Sequence, residues 1–534
     1  MTHLNTDVAV IGGGLGGVAA ALAVLRRGQR VVLTEQYAWL GGQLTSQGVP
    51  PDEHIWVEQF GVTAGYRALR EGIRRYYRDH YPLTDLARRD LQLNPGRGRV
   101  SRLCHEPRVA LAVITQLLAP HLSSGRLTIL QPYVPVAVEV ADDVVGSVTL
   151  AHLHTGDEVV VEAAMVLDAT ETGDLLPLTG TAYVIGTESR AETGEPSAPE
   201  TADPGNVQSI AWCFAFDHEE GADHTIERPA TYDYWRTYQP SFWGDTMLSF
   251  TAPHPRTLTP EVRTLHVNPK LTAGAPEDPR YDAGDSDLWE FRRIAARATF
   301  QRGAYESDIV LANWPQLDYL GGSIVDNADR ETHLAAAKEQ SRSFFYWLQT
   351  EAPRPDGGTG WPGLRLRGDV LGSADGFAQA PYIRESRRIR AMKTVVEQDV
   401  SVRVRGHAGP ATFDDSVGIG MYRIDLHPST GGDNYIDVEC APFEIPLGAL
   451  VPVATKNLLP AAKNIGTTHI TNGAYRLHPV EWNIGESAGE LATFCLERSI
   501  LPRDVVSVPE LVRQFQTRLV EAGVEIHWPE ILGY

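Results

Sequence analysis

The chain is 534 residues long, 43% hydrophobic and 22% charged. That composition excludes disorder and, at about 100–200 residues per domain, leaves room for two to four structural units. With 47 basic and 68 acidic residues the formal net charge is −21, which argues against nucleic acid or an anionic membrane surface as a partner.

Only five lysines occur (Lys270, Lys338, Lys393, Lys456 and Lys463), so nearly all positive charge is arginine. Cys104, Cys213, Cys440 and Cys495 form no C-x-x-C pair. A redox dithiol, a zinc ribbon and a disulfide scaffold are thereby excluded, no metal is expected, and scattered thiols fit a cytoplasmic protein. Met1 to Thr6 has no basic n-region, so no signal peptide is expected. The apolar run Val18 to Leu25 is far short of the roughly 20 residues of a membrane span.

Asp7 to Ile11 is a short β-branched run of the kind that makes a buried parallel strand. It enters Gly12-Gly13-Gly14-Leu15-Gly16-Gly17, followed by a helix from Val18 to Arg27, a stop at Gly28 and a second strand from Gln29 to Thr34. The spacing of Gly12, Gly14 and Gly17 between strand and helix is a dinucleotide-binding fingerprint. Gly12 permits the tight turn, Gly14 a close backbone approach to a pyrophosphate, and Gly17 close helix–strand packing. Leu15 and Gly16 then open the helix, whose N-terminus faces the phosphates. Glu35, 23 residues after Gly12, is placed to accept from the ribose hydroxyls, with Gln36 beside it. Its charge disfavours a 2′-phosphate, and hence NADP.

Further on, Ile55–Tyr81 reads as a solvated amphipathic helix, and Glu106–Leu122 as a helix with proline in its first turn. Four β runs follow (Leu127–Leu130, Val134–Val140, Val145–His154 and Glu158–Leu167), a strand and a β-meander returning to the parallel sheet. Residues 188–205 read as a mobile surface loop, and an aromatic-rich stretch from Val207 to Asp326 as a second core. A helix is expected over His333–Leu348, and a basic cluster lies between Tyr382 and Glu397.

Several segments together resemble one family. These are the fingerprint; Leu40-Gly41-Gly42-Gln43; the turn Asp168-Ala169-Thr170-Glu171-Thr172-Gly173-Asp174; Arg384 to Arg388; Asn457 to His469 with Asn464 inside it; and Gly485-Glu486-Ser487-Ala488-Gly489. The chain is similar to bacterial FAD-dependent oxidoreductases with a glutathione-reductase-type flavin fold, kin to succinate dehydrogenase and fumarate reductase flavoproteins. That resemblance implies an α/β fold: a three-layer Rossmann-like FAD-binding domain (1–185 and 440–505), an inserted α+β substrate cap (186–439) and a tail (506–534).

The resemblance implies non-covalent FAD, although Cys104-His105 is where an attachment would be sought. FAD contacts are implied at Gly41, Gly42, Gln43, Val134, Ala169, Thr170, Gly173 and Asn464, besides the fingerprint residues. Gly485, Glu486 and Ser487 are expected to open a helix, Glu486 to Glu497, whose N–H groups face the flavin N1–C2=O edge. No second G-x-G-x-x-G is present; Gly418-Ile-Gly420 is the nearest, so an organic substrate rather than NAD(P)H is expected to supply electrons. The acceptor is left open between oxygen and another compound.

On the substrate side His469 is the first candidate for a base or hydrogen-bond donor. Arg384 and Arg388, four apart on an expected helix, share one face and suit an anionic group. Asn313, Asp318 and Tyr319, in a loop of amides, acid and aromatics, and His478 complete the candidates.

Overall fold

Residues 2–269 and 287–529 are described by a computed structural model. Lys270 and the last five residues of the tail lie outside them. The first half builds one sheet. Strand β1 (Thr2–Ile11) leads to helix α1 (Leu15–Arg26) and strand β2 (Val31–Thr34). Helix α2 (Ala64–His80), helix α3 (Pro107–Ser123) and strand β3 (Leu127–Leu130) follow. The meander is β4 (Tyr133–Ala141) and β5 (Val144–His152), and β6 (Glu158–Asp168) returns.

The strand order is β3-β2-β1-β6-β5-β4. β1, β2, β3 and β6 pair in parallel, while β5 is antiparallel to both β4 and β6. β6 therefore has a divided edge. Its first residues pair with β5, while Val166, Leu167 and Asp168 pair in parallel with a strand from much later in the chain, β11 (Leu458–Pro460). This is the Rossmann-like α/β sheet and meander expected from the alternating apolar runs.

Between β6 and β11 lies a second sheet, antiparallel throughout. It comprises β7 (Phe214–His218), β8 (Arg293–Ala295), β9 (Ile309–Ala312) and β10 (Leu364–Leu366), in the order β8-β9-β7-β10. Helix α4 (Arg330–Thr350) packs beside it. Phe216 meets Trp289 and Trp314 edge-to-face, with ring centroids 5.6 and 5.9 Å apart, so the aromatic richness of this stretch goes into a core of its own.

After β11 come α5 (His469–Tyr475), α6 (His478–Arg498) and α7 (Pro509–Glu521). α6 is buried from His478 to Cys495 and crosses α1 at very close range. A Cβ on Gly485 would sit 2.0 Å from the Gly16 carbonyl, and one on Gly489 2.5 Å from that of Ala20. Small residues on both helices bring the two backbones together. Among the described residues no helix is long and apolar enough to cross a membrane.

Three expectations need correction. The helix expected from Ile55 starts only at Ala64, where Thr63 caps it by accepting from Tyr66 N. It is not simply solvated, because Arg70 and Arg74 turn inward onto Glu53 and Glu58. Residues 188–205 are not a loose loop: a short helix (Arg190–Thr193) forms there, and the buried Glu195 accepts from Thr468 Oγ1 at 2.6 Å and Glu397 N at 2.8 Å. The expected helix carrying Arg384 and Arg388 is absent. That segment is extended, and Arg388–Ile389 pairs with Tyr183–Val184.

Candidate cofactor cleft and active site

The turn after β1 has the geometry its glycines suggested. Gly12 has φ of 105°, and a Cβ there would lie 2.2 Å from the Ala169 carbonyl. A Cβ on Gly17 would meet the Gly12 carbonyl at 2.0 Å. These contacts bind the turn to the end of β6 and leave its backbone bare. Glu35 accepts from Gly13 N at 3.1 Å and Tyr37 N at 2.9 Å, and Thr34 Oγ1 accepts from Gly12 N at 3.0 Å. Burial pushes the Glu35 carboxyl up to about 8, against the backbone N–H groups of Tyr37, Gly13 and Gln36 that pull it down.

A small cleft here is lined by Gly12, Gly14, Glu35, Gln36, Val134 and Ala169, with Thr170 and Glu171 at its edge. Seven separately predicted positions thus meet in one place. Gly173 has φ of 67° and lies against Arg387 rather than among that lining. Gly41 and Gly42 both adopt positive φ, and a Cβ on Gly42 would be 3.0 Å from Gly14 Cα, so this glycine pair abuts the phosphate turn. Asn464 donates to the Asp168 carbonyl at 3.1 Å, which ties the re-entering chain to the same edge.

What the sequence did not suggest is the charge around this turn. Glu481, in the first turn of α6, accepts from Gly16 N at 3.2 Å and from Gln43 Nε2. Lys463, itself buried, pairs with Glu171. Burial raises Glu481, with Lys463 pulling the other way. The pyrophosphate end therefore combines a helix N-terminus and a buried lysine with two acids. Lys463 was visible as one of five lysines, inside the re-entry segment. Glu171 and Glu481 carried no pattern. Bare glycine backbone, Glu35 at ribose distance along β2 and Lys463 beside the turn fit FAD.

The helix start expected at Gly485 is corrected. α6 begins at His478, and Gly485 lies mid-helix against Gly16. Glycine here serves helix–helix approach, not a turn. Glu486 pairs with Arg26 and accepts from Trp482 Nε1 at 2.9 Å, while Ser487 donates to the Val417 carbonyl at 2.8 Å. The N–H groups that face outward from this helix are those near His478.

His469, Arg384 and Arg388 are buried and already partnered. Both Glu385 carboxylate oxygens lie 3.0 Å from His469 Nδ1, and Arg388 pairs with Glu385 and Glu188. Burial would push Glu385 up, but His469 and Arg388 hold it at about 2. Burial pushes His469 down and Glu385 more than reverses it, so its pKa is raised and its protonated form favoured. An imidazolium locked to a carboxylate is poorly suited to be a base, which corrects that expectation. Arg384 Nη2 is 2.9 Å from Asp318 and Nη1 donates to the Ser209 carbonyl at 2.7 Å.

Among the other substrate candidates, Tyr319 is drawn away into the second core, with its hydroxyl 2.9 Å from His333 Nδ1. Asn313 keeps a buried Oδ1 with no hydrogen-bond partner. His478 accepts from Asp52 N at 3.1 Å through Nδ1, so its proton sits on Nε2, which is buried and unpartnered. Burial lowers its pKa to about 3, and it is a neutral donor.

A buried polar cluster missed by sequence reasoning lies beside these residues. Tyr382 donates to Gln43 Oε1 at 3.2 Å and accepts from Arg476 Nη1 at 3.1 Å, and the Arg384 guanidinium sits 5.3 Å from its ring centre. Gln43 Nε2 also donates to the Arg476 carbonyl at 2.9 Å, so the glycine-pair loop and the cluster share one hydrogen-bond network. Asp425 lies 3.5 Å from Arg476, and Asp52 and Arg292, 3.5 Å apart, are near enough for their charges to act on Tyr382.

Replacing Glu35 by glutamine tests the cleft. The amide keeps the shape but puts an NH2 group where the carboxyl accepts from Gly13 N, Tyr37 N and the ribose, so FAD affinity should fall about tenfold, at about 0.5–1.5 kcal/mol for a neutral hydrogen bond. Fluorescence titration of the apoprotein with FAD reads this directly; unchanged affinity would place the ribose elsewhere.

A family model described as FAD dependent oxidoreductase matches residues 7–519. Among curated proteins, a carotenoid phi-ring synthase from Streptomyces griseus is 34% identical over 102 residues, 19% of this chain and 17% of that protein. A soluble pyridine nucleotide transhydrogenase from Hamiltonella defensa is 42% identical over 54 residues, 10% of this chain and 12% of that one. The chain thus matches less than a fifth of either relative's length. Among solved structures, the glycerol-3-phosphate dehydrogenase from Bacillus halodurans complexed with FAD shows 13% identity and a TM-score of 0.23, covering 40% of each chain.

Proposed function

The chain belongs to the FAD dependent oxidoreductase family, and from that premise we propose that it oxidises a small polar or cyclic metabolite. Bound FAD, held by the glycine turn, Glu35 and Lys463, would supply the two-electron redox chemistry, with oxygen or another compound as the final acceptor. The observation that carries this reading is the buried polar cluster around Tyr382, linked through Gln43 to the loop that abuts the glycine turn after β1. Buried polar groups left without partners are costly, about 1–3 kcal/mol each, unless a ligand meets them. Those groups cluster where a substrate would lie between the α6 start and the second core.

The chain's own residues supply orientation rather than redox chemistry. The neutral His478 Nε2–H is a donor fixed by Asp52 N, and Tyr382 is held between Gln43 and Arg476. The opposite direction, reduction of an activated alkene as in fumarate reductase relatives, is less well supported, because His469, Arg384 and Arg388 are tied to Glu385, Asp318 and Glu188. Anaerobic mixing of the oxidised holoprotein with a metabolite panel decides the matter. Bleaching of the oxidised flavin's visible absorption is the expected result. Reoxidation of photoreduced protein by alkenes, with no bleaching by any metabolite, would reverse the assignment.

A further inference from the structure

Three buried arginines surround Tyr382 without using all their donors. Arg292, Arg384 and Arg476 are 9%, 2% and 3% exposed. Each keeps an Nε–H with no acceptor, and Arg292 Nη1 also makes no hydrogen bond. Each faces one carboxylate: Asp52 is 3.5 Å from Arg292, Asp318 is 2.9 Å from Arg384, and Asp425 is 3.5 Å from Arg476. Arg384–Asp318 is a close pair. The contacts of Arg292 and Arg476 with their acids are long and leave both signs of charge available.

A guanidinium presents a planar fork that matches a carboxylate, and burying one with idle N–H groups costs several kcal/mol. His427 lies against two of these acids, 2.7 Å from Asp318 and 3.9 Å from Asp425, so Asp52 is the acid left with a single long arginine contact. A phosphate dianion would face three carboxylates. A ligand carrying one negative and one positive group suits idle guanidinium N–H groups beside an under-paired acid. We propose that this cluster binds the backbone of a zwitterionic 2-amino acid, with its carboxylate on the free N–H groups of Arg292 and Arg476 and its ammonium toward Asp52.

Asp52 is suited to the ammonium because it is buried, with Arg292 its one ion-pair contact at 3.5 Å. His478 fixes its main chain by accepting from Asp52 N, which places the residue at the start of α6. Tyr382 borders the same space, and the charges of Arg476, Asp52, Arg384 and Arg292 all act on its phenol. The proposal rests on the oxidative reading above and names its substrate class.

The test uses the oxidised holoprotein and the twenty standard amino acids, read by perturbation of the flavin spectrum and by melting temperature. At least one should bind. Its decarboxylated amine and its des-amino acid should each bind about 30-fold more weakly, the loss expected for one charge-assisted bond set. Arg292→Met should raise Kd by about the same factor. Asp52→Asn should weaken the amino acid but not the des-amino acid.

Arg292→Lys, which keeps the charge and loses the fork, guards against misfolding: with FAD content intact it should still weaken binding about tenfold. The proposal is overturned if no amino acid binds, if the amine or a 2-hydroxy acid binds as tightly, or if the arginine variants bind normally. An amino acid that binds without bleaching the flavin refutes the oxidative reading and leaves the subsite standing. A neutral polyol that bleaches it while no amino acid binds does the reverse.

Discussion

Gly485→Leu should abolish the folded, FAD-retaining protein, and Gly485→Ala should cut its stability sharply. The reason is geometric. The ideal Cβ at this position lies 2.0 Å from the Gly16 carbonyl oxygen and 2.6 Å from its carbon, inside any tolerable contact, and the obstacle is backbone. Relief requires α6 to move away from α1. That movement would also open the gap at Gly489 and pull Glu481 from Gly16 N, disturbing the first turn of α1 beside the cleft. Overpacking of a core by one methyl ordinarily costs about 1–3 kcal/mol, and a forced backbone shift costs more. Thermal melts and FAD stoichiometry after gel filtration check this. A Gly485→Ala protein with wild-type melting and full FAD would show that the two helices are not held at this distance.

Glu385→Gln should destabilise the protein by about 3–5 kcal/mol at neutral pH, the usual cost of leaving buried cations without their counter-ion. The variant leaves Arg388 with Glu188 and His469 with an amide. The pH dependence has a definite sign. Glu385 falls from an ordinary 4.5 to about 2 in the folded state, so its contribution is complete above about 4.5 and is lost as pH falls from there to about 2. His469 shifts the other way: its contribution is present below its ordinary 6.5 and fades as pH rises through its elevated folded value. The gap between wild type and variant should therefore be widest from about pH 4.5 to pH 6.5 and shrink toward pH 2. Urea unfolding at pH 7 and pH 3 reads it, and equal stability at pH 7 would remove the ion-pair argument.

The nucleotide half of the fold was legible because its signals are local. A β-branched run, three glycines in fixed register and an acid at the end of the next strand each depend on neighbours within about 30 residues. The meander was legible for the same reason, its strands being short and separated by turn residues. The start of α6 was misplaced because Gly485 reads as a breaker in isolation, whereas here it is the price of a close crossing with α1, a helix more than 450 residues earlier. Arg384, Arg388 and His469 were recognisable as chemically able groups, and the pair of Arg388 with the nearby Glu385 is local, but Asp318 reaches Arg384, Glu188 reaches Arg388 and Glu385 reaches His469 across long stretches of chain. The polar cluster around Tyr382 was invisible altogether. Asp52, Arg292, Tyr382 and Arg476 belong to four separate segments, and nothing in any one of them marks an unpaired guanidinium.

The divided edge of β6 bears on how the protein is made. β5 pairs with β6 as soon as the meander has emerged, but Val166 to Asp168, which lead into the cofactor turn, gain their partner on that edge only from Leu458 to Pro460. From Asp168 to Leu458 is roughly 290 residues, about 15–60 s of synthesis at about 5–20 residues per second. For that interval the nascent sheet exposes unpaired strand edge and the apolar face of α1 that α6 will cover, the kind of surface that invites non-native pairing. The aromatic face of the second sheet can collapse in the meantime, while Ala215, Ile294, Ile309 and Leu311 wait for the main core they pack into. A yield that falls when elongation is accelerated is the expected consequence of where one three-residue strand falls in the chain.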